Sequence, residues 1–351
     1  MRIRKSIGSS KSEAGRPVGR LAAWGPSLGR TGVCLASIVV GLVLAELVLR
    51  LVYPHAAFGS ARELSQFRGS PQTGRLFRID PQFGFRPVLG TGLYNRYGTL
   101  TNDYPVAKSP GVRRILFLGD SVTARGRLVD ALRRRYGPAD FEYWNAGVES
   151  FNTVQEVAYY RRFCAELQPD HVVLTFHLND FETTPVAFRA ADGSIAVYAP
   201  NFPVGELNPV LYRHSYLYRL ALGVVKRGNR HVDSVIDETE AALIELRDAL
   251  RASGTRLTVL VFPFLEPWDD WSRGNQHAHQ LILNMLERYD IAYVDLLEPV
   301  QEAIRAGVCV QEHKGDTWHP SQALATRLAA YLQERDLLAK RRGATCGSAQ
   351  P

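Results

Sequence analysis

Four cysteines in 351 residues, none at a metal-ligand spacing from another, leave no framework for a structural zinc site or a disulfide-held miniature scaffold. Cys34 lies in an apolar run, and Cys164 inside an amphipathic helical pattern. An oxidising compartment would therefore favour Cys309 with Cys346 as the single disulfide, a pairing that sequence alone leaves open. No glycine-rich phosphate cradle and no internal repeat is present, which removes P-loop nucleotide chemistry and solenoid architectures. His277 and His279 form an HxH pair, but no cysteine or carboxylate cluster accompanies them, so neither a metal nor a cofactor is expected. An excess of positive charge is also missing where nucleic acid would need it. Residues 1–53 hold eight Lys or Arg and two Glu, a balance of +6, which leaves 34 basic and 33 acidic residues, or +1, for the rest of a chain whose total is +7. A nearly neutral remainder offers no electrostatic footprint for nucleic acid.

What is present begins with a long apolar segment. Residues 33–53 are almost continuously hydrophobic and, at about 1.5 Å per residue, long enough to cross about 30 Å of hydrocarbon as one helix. Glu46 and Arg50 interrupt the run, but they stand four apart on one helix face and can pair. About 30 residues precede the span and no small-residue cleavage site follows it, which argues for an uncleaved signal anchor over a removed signal peptide. Cys34 stands at the start of the apolar run, whereas a lipid-modified cysteine would follow it. Seven Lys or Arg against the single acid Glu13 in the first 30 residues place the tail 1–32 in the cytoplasm and everything beyond the span outside it. The expected location is therefore the cytoplasmic (inner) membrane, in a single pass.

Residues 54–110 read as a connector rich in Gly, Pro and aromatics that packs on the following domain, 111–340, with 341–351 as a tail. At 46% hydrophobic and 22% charged, the chain has the composition to bury a sizeable core there. Short apolar runs alternate with helical periodicity. Strands are expected at 115–118, 141–144, 171–176, 257–262 and 291–294, and helices at 128–136, 153–167, 232–252, 276–289, 299–306 and 322–334. This rhythm predicts a three-layer α/β/α fold around a mostly parallel five-stranded sheet. Residues 181–231 break it with hairpin-like pieces around Asp192 and Gly193, then a run of Tyr and Leu. An insertion there serves equally well as a lid or as additional core.

The chemistry sits where strands end. The first strand runs into Gly119, Asp120 and Ser121, which puts a hydroxyl at the carboxyl edge of the sheet, where open α/β folds bind ligands. Taken alone, this serine could be a helix cap. Acyl transfer through a serine needs a base, a group that orients the base, and donors for the oxyanion. His319 supplies the base, and Asp316, three residues earlier on the same turn, can accept the other imidazole N–H. His313 is a rival expected to be solvated. The backbone N–H groups of Ser121 and Gly147 and the side-chain amide of Asn179 are the candidate oxyanion donors, all at strand ends. Trp268 and Trp271 lie on the loop after the fourth strand, where sugar stacking or a plain surface role is open.

Four blocks in order, GDSV at 119–122, NAGVESFNTVQE at 145–156, HLND at 177–180 and DTWH at 316–319, resemble the signature of SGNH hydrolases of the GDSL type over roughly residues 110–340. The resemblance implies a flavodoxin-like fold with Ser121 as nucleophile, His319 as base, Asp316 as its orienting acid, and Gly147 and Asn179 completing the oxyanion hole. His177 replaces a Gly found in many members, and the basic segment after Ser121 is unusual; both bear on substrate preference. The expected function is a membrane-anchored serine esterase or O-acyltransferase acting outside the cytoplasm on O-acetyl groups of an envelope glycan. The alternative is a non-catalytic binding or scaffold protein of the same fold. The partners implied are an ester substrate and the membrane, not nucleic acid.

Overall fold

The computed structural model describes residues 27–52, 76–90, 92–102, 104–182, 184, 186–189, 195–198, 211, 214–218, 220–221 and 232–338. The chain divides into two compact units, Met1–His55 and Ala56–Pro351. In the first, helix α1 (Ser27–Val52) starts earlier than the apolar run suggests. Its stretch Gly32–Val52 has a mean hydropathy of 2.5 over 21 residues and is long and apolar enough to cross a bilayer. Arg50 Nε donates to Glu46 Oε1 at 2.8 Å, so the two charges within the span neutralise each other one turn apart, as their spacing predicts.

The second unit is built on five parallel strands: β3 (Arg113–Gly119), β4 (Phe141–Asn145), β5 (His171–His177), β8 (Arg256–Phe262) and β9 (Tyr293–Asp295). Their order in the sheet is β4-β3-β5-β8-β9, a doubly wound arrangement in which the chain turns back between β4 and β5 on either side of β3. Every residue of β5 is buried, the mark of a strand covered on both faces. One face carries α3 (Arg127–Tyr136), α7 (Leu297–Arg305) and α8 (Gln322–Glu334). The other carries α4 (Thr153–Tyr159), α5 (Val232–Ala252) and α6 (Arg273–Arg288). Ser321 caps α8 by accepting the Leu324 N–H at 3.1 Å, and the buried stripe Leu324, Ala325, Leu328, Ala329 and Leu332 then seats it beside α3.

Several boundaries differ from the sequence pattern for local reasons. The helix expected through 167 stops being α-helical after Tyr159, continues as a π-turn over Tyr160–Cys164 and a 3-10 turn over Ala165–Leu167, and ends at Gln168 in a left-handed conformation. The buried Cys164 thus sits in a π-turn, its thiol donating to the Tyr97 carbonyl. The stripe of α5 facing the core is Val235, Ala242, Leu243, Leu246 and Leu250, with Ile244 only half-buried. Helix α6 begins at Arg273 because Ser272 Oγ accepts the Asn275 N–H at 3.1 Å. The last strand starts at Tyr293, later than expected, and Ile291 contributes to the core without being part of it.

Within 54–110, β1 (Phe77–Asp80) and β2 (Gly84–Pro87) form an antiparallel hairpin. Phe83 and Phe85 from it enter the core against Phe151, at 6.2 and 5.4 Å between ring centroids. Tyr94 reaches further, its hydroxyl donating to the Gly147 carbonyl at 2.8 Å. Of the insertion 181–231, β6 (Val186–Arg189) and β7 (Ile195–Tyr198) pair as the hairpin its pattern suggests. The Asp192–Gly193 turn lies outside the described residues, as do Tyr212, Arg213, Arg219 and Leu222 of the Tyr- and Leu-rich stretch. Cys346 lies outside them too, while Cys309 is a free thiol.

At the amino edge of the sheet, Arg114 is the most elaborate polar contact of the core. Its Nε donates to Glu142 Oε2 at 2.6 Å and its Nη1 to the carbonyls of Leu167 and Val106. Trp144 Nε1 donates to the same Glu142 oxygen at 2.9 Å. Both ion partners are at most 5% exposed, so removing one leaves a buried charge unpaired at a cost of about 3–5 kcal/mol. Glu142→Ala is therefore expected to lower unfolding free energy by about that amount in a urea titration, whereas a loss below about 1 kcal/mol would mean the pair is not closed.

Candidate active site

Strand β3 delivers its last residues into a tight turn. Asp120 is the cap of the short helix α2 (Ser121–Ala124), its Oδ1 accepting the Val122 N–H at 2.8 Å. Capping is thus done by the carboxylate, and the Ser121 hydroxyl is left for other use. Gly126, with φ 72°, then breaks the chain between α2 and α3.

The Ser121 hydroxyl meets His319 Nε2 at 2.9 Å. His319 Nδ1 in turn faces both oxygens of Asp316, at 3.0 and 2.9 Å. The three side chains form one continuous line of hydrogen bonds. Asp316 also accepts the backbone N–H groups of Trp318 and His319, each at 3.1 Å, which closes the turn. Burial alone pushes the Asp316 carboxyl up, but the bonds from His319 and Trp318 outweigh it and hold the group below its usual range. A depressed carboxyl contributes its stabilisation at pH values above its unfolded-state value of 3.8 and loses it as pH falls further, so this turn keeps its charge throughout the neutral range.

The loop carrying His319 is stitched to the scaffold from several sides. Gln311 bridges to Pro320, Gln311 Nε2 donates to the Leu265 carbonyl at 2.9 Å, and the Leu265 N–H donates to the Thr317 carbonyl at 2.8 Å. His319 is 5% exposed. His313 is turned to solvent, 76% exposed, as its place outside the turn predicts.

Gly147 sits against α2. A Cβ there would lie 2.3 Å from Ala124 N and 2.7 Å from the Thr123 carbonyl carbon, so only glycine lets the two backbones come this close. The Gly147 N–H donates to Asn145 Oδ1 at 2.9 Å, while Asn145 Nδ2 donates to the Thr123 carbonyl at 2.7 Å. Asn145 therefore ties the end of β4 to the turn that carries Ser121. Asn179, in the 3-10 turn Leu178–Phe181 after β5, donates Nδ2 to Asp120 Oδ2 at 3.0 Å. Its second amide hydrogen remains for another acceptor.

Behind this edge lie three buried carboxylates, Asp120, Glu156 and Asp180, each at most 2% exposed. Burial, reinforced by repulsion among the three, drives the Glu156 and Asp180 carboxyls well above the ordinary range. Asp180 still accepts the His177 N–H at 2.8 Å through Oδ2. Burial pushes His177 down to about 4, leaving its ring neutral.

His177 lies beneath Trp318, 4.8 Å between ring centroids, and Phe264 meets the same indole edge-on at 4.9 Å. Trp318 is 37% exposed beside His319, held by these two rings. Trp271 is buried against Phe264 and Trp268, so it offers no surface for stacking, and Trp268 is half-buried. His279, half of the HxH pair, is buried with Nε2 at 3.2 Å from Asp295, while His277 takes no part in that contact.

No family model matches this chain, and no curated protein does. Among solved structures it is similar to an alpha/beta hydrolase enzyme from the metagenome of Lake Arreo, Spain, at 18% identity over 63% of this chain and 94% of that one, with a TM-score of 0.43. It is also similar to an acetylxylan esterase from Geobacillus stearothermophilus, at 19% identity over 63% and 93% with a TM-score of 0.42, and to a tryptophan variant of that esterase at 18%, over 65% and 97% with a TM-score of 0.44.

Two side chains that the sequence pattern did not single out stand at this site. Asn145 could have been suspected from its place at a strand's carboxyl end. Glu312, with a carboxylate oxygen within 4.8 Å of Asp316 and His319, is hidden by its neighbour His313 and has no periodicity to reveal it. The Gly147 contact yields a direct expectation: Gly147→Ala forces α2 away from the β4 loop, costs about 1–3 kcal/mol of stability by overpacking, and displaces Ser121. Thermal melting checks the first, and a crystal structure of the variant checks the second; an unchanged Ser121 position with an unchanged melting temperature would contradict it.

Proposed function

We propose that the protein is a serine esterase that works through an acyl-Ser121 intermediate, with transfer to a second hydroxyl in place of water as the related activity. The observation that carries this reading is the hydrogen-bonded line from Ser121 Oγ through His319 to Asp316, with 2.9 Å at its reacting end. In the first half-reaction, Oγ attacks the ester carbonyl carbon while its proton passes to His319 Nε2. The tetrahedral intermediate then collapses, and the alcohol leaves with that proton. In the second, water gives a proton to Nε2, attacks the acyl carbon, and the released Ser121 recovers the proton. Asp316 holds the imidazole in the tautomer with hydrogen on Nδ1 and stabilises the imidazolium as it forms.

The oxyanion falls to the Ser121 backbone N–H, at the first turn of α2, and to the second amide hydrogen of Asn179. Gly147 completes the set, with Asn145 Oδ1 as the resting acceptor of its N–H, exchanged for the oxyanion when substrate binds. The four sequence blocks support the same assignment through the SGNH resemblance. A carbohydrate-borne ester, acetyl in the simplest case, is supported by Trp318, whose exposed, rigidly held indole stands next to His319 and suits the flat face of a pyranose. The apolar helix α1 supports a signal anchor, with the basic tail 1–32 in the cytoplasm and residues beyond 53 outside the inner membrane. On this reading 111–340 form the hydrolase domain, with the segment 181–231 as a lid or substrate wall.

Purified protein should hydrolyse 4-nitrophenyl acetate, and Ser121→Ala should lower kcat by about a thousandfold or more. Equal rates for wild type and variant would replace the esterase with a binding protein of the same fold.

A further inference from the structure

Glu312 has no role in the line Ser121–His319–Asp316, yet it is the most heavily committed carboxylate near it. Its side chain is 12% exposed. Arg125 Nη1 donates to Oε2 at 2.7 Å, and Arg127 Nη2 donates to Oε1. The two arginines bracket Gly126, directly after the helix that begins with Ser121. Backbone contacts extend the connection in both directions: the Arg125 N–H donates to the Ser121 carbonyl at 3.0 Å, and the Glu312 N–H donates to the His319 carbonyl at 2.9 Å. A second route, Ser121 to Arg125 to Glu312 to His319, therefore runs beside the direct bond between the serine hydroxyl and the imidazole.

We propose that Glu312 is a positioning residue for this site: gripped by Arg125 and Arg127, its carboxylate fastens the His319 loop to the turn carrying Ser121 and balances two guanidinium charges beside the His319–Asp316 couple. The proposal rests on the esterase reading above.

Carboxylate oxygens of Glu312 and Asp316 and a ring nitrogen of His319 lie within 4.8 Å of one another, a spacing that a cation could also use. The contacts already made favour the clamp. Both Glu312 oxygens are taken by guanidinium groups, and both ring nitrogens of His319 are committed, to Asp316 and Ser121. The charged and titratable groups facing Glu312 are Arg125, Arg127, and His313 at 3.9 Å, with Asp316 and His319 behind. Bonds from the two arginines outweigh burial and hold its carboxyl down to about 2, so the clamp stays charged throughout the neutral range. Removing the carboxylate alone would leave two positive charges next to the imidazole, where they oppose the imidazolium that forms as Ser121 loses its proton. Removing all three charges would not.

The test is steady-state hydrolysis of 4-nitrophenyl acetate by the full-length protein and its variants, with melting temperatures measured alongside. Glu312→Gln is expected to lower kcat by about 10- to 100-fold with KM within about threefold. The neutral variant Arg125→Gln/Arg127→Gln/Glu312→Gln is expected to recover part of that loss. A merely structural role predicts no such recovery. Wild-type kcat in Glu312→Gln, or a triple variant as slow as the single one, would overturn the proposal. Should Glu312→Gln fail to fold, Arg125→Gln/Arg127→Gln, at residues about one-third exposed, carries the test: kcat should fall by at least about threefold, and an unchanged kcat refutes the clamp. If wild type is active and Glu312→Gln equals it, the clamp alone fails. If wild type itself shows no activity dependent on Ser121, the esterase reading fails and the positioning role falls with it.

Discussion

The contact on which the carboxyl edge of this protein depends is the 2.9 Å approach of Ser121 Oγ to His319 Nε2, between residues 198 positions apart. A single hydrogen bond contributes about 0.5–1.5 kcal/mol net, far too little to bring such distant segments together. The scaffold brings them together. Strand β3 lies inside the sheet, flanked by β4 and β5, and ends in a helix capped by its own aspartate. The His319 loop is held by the Leu265 to Thr317 bond, the Gln311 contacts and the capped start of α8, and Glu312 links it to the Ser121 turn through Arg125 and Arg127. Two rigid pieces meet, and the hydrogen bond records how well they fit. Placement of this kind, made before any ligand arrives, is what reaction through a positioned nucleophile requires.

The same edge holds an unusual amount of buried polarity. Asp120 joins the β3 turn to Asn179, Asn145 joins the β4 loop to α2, and Asp180 closes the turn after β5. The first two join segments that meet only at the ends of parallel strands. Burial and mutual repulsion both raise the Glu156 and Asp180 carboxyls well above the ordinary range, so the cluster disfavours the state in which all three are charged. Among the described residues Glu156 has no hydrogen-bond partner for either oxygen, so its place here costs stability, and the apolar layers on both faces of the sheet offset that cost. His177 fits the same picture. It is buried and neutral, and its effect at the surface passes through Trp318, which rests on it.

Much of this arrangement was legible in the chain. Short apolar runs ending in Gly, Asn or Asp marked the strands and the edge at which they end, and the Asp-x-x-His spacing marked a turn in which the carboxylate can reach the imidazole. Residues whose importance depends on a distant partner were not legible. Glu312 matters because two arginines far away in sequence converge on it; Gly147 stood out as a strand-end donor, but the α2 backbone that makes glycine necessary there did not. Trp271, which sequence leaves open as a stacking surface, is buried by Phe264 and Trp268, and no local pattern distinguishes it from Trp318. The π-turn at Tyr160–Cys164 interrupts an otherwise regular helical pattern for the same reason: tertiary packing, with Cys164 against the Tyr97 carbonyl, decides where that helix deforms.

The account stands on Ser121 being a nucleophile activated by His319, and covalent trapping reports on this without reference to substrate. Incubation of the full-length protein with a fluorophosphonate, followed by intact-mass and peptide mass spectrometry, should give one adduct, on Ser121, and His319→Ala should slow its formation by at least about a hundredfold. A protein that stays unlabelled, or that labels at another serine with Ser121 untouched, would contradict the account.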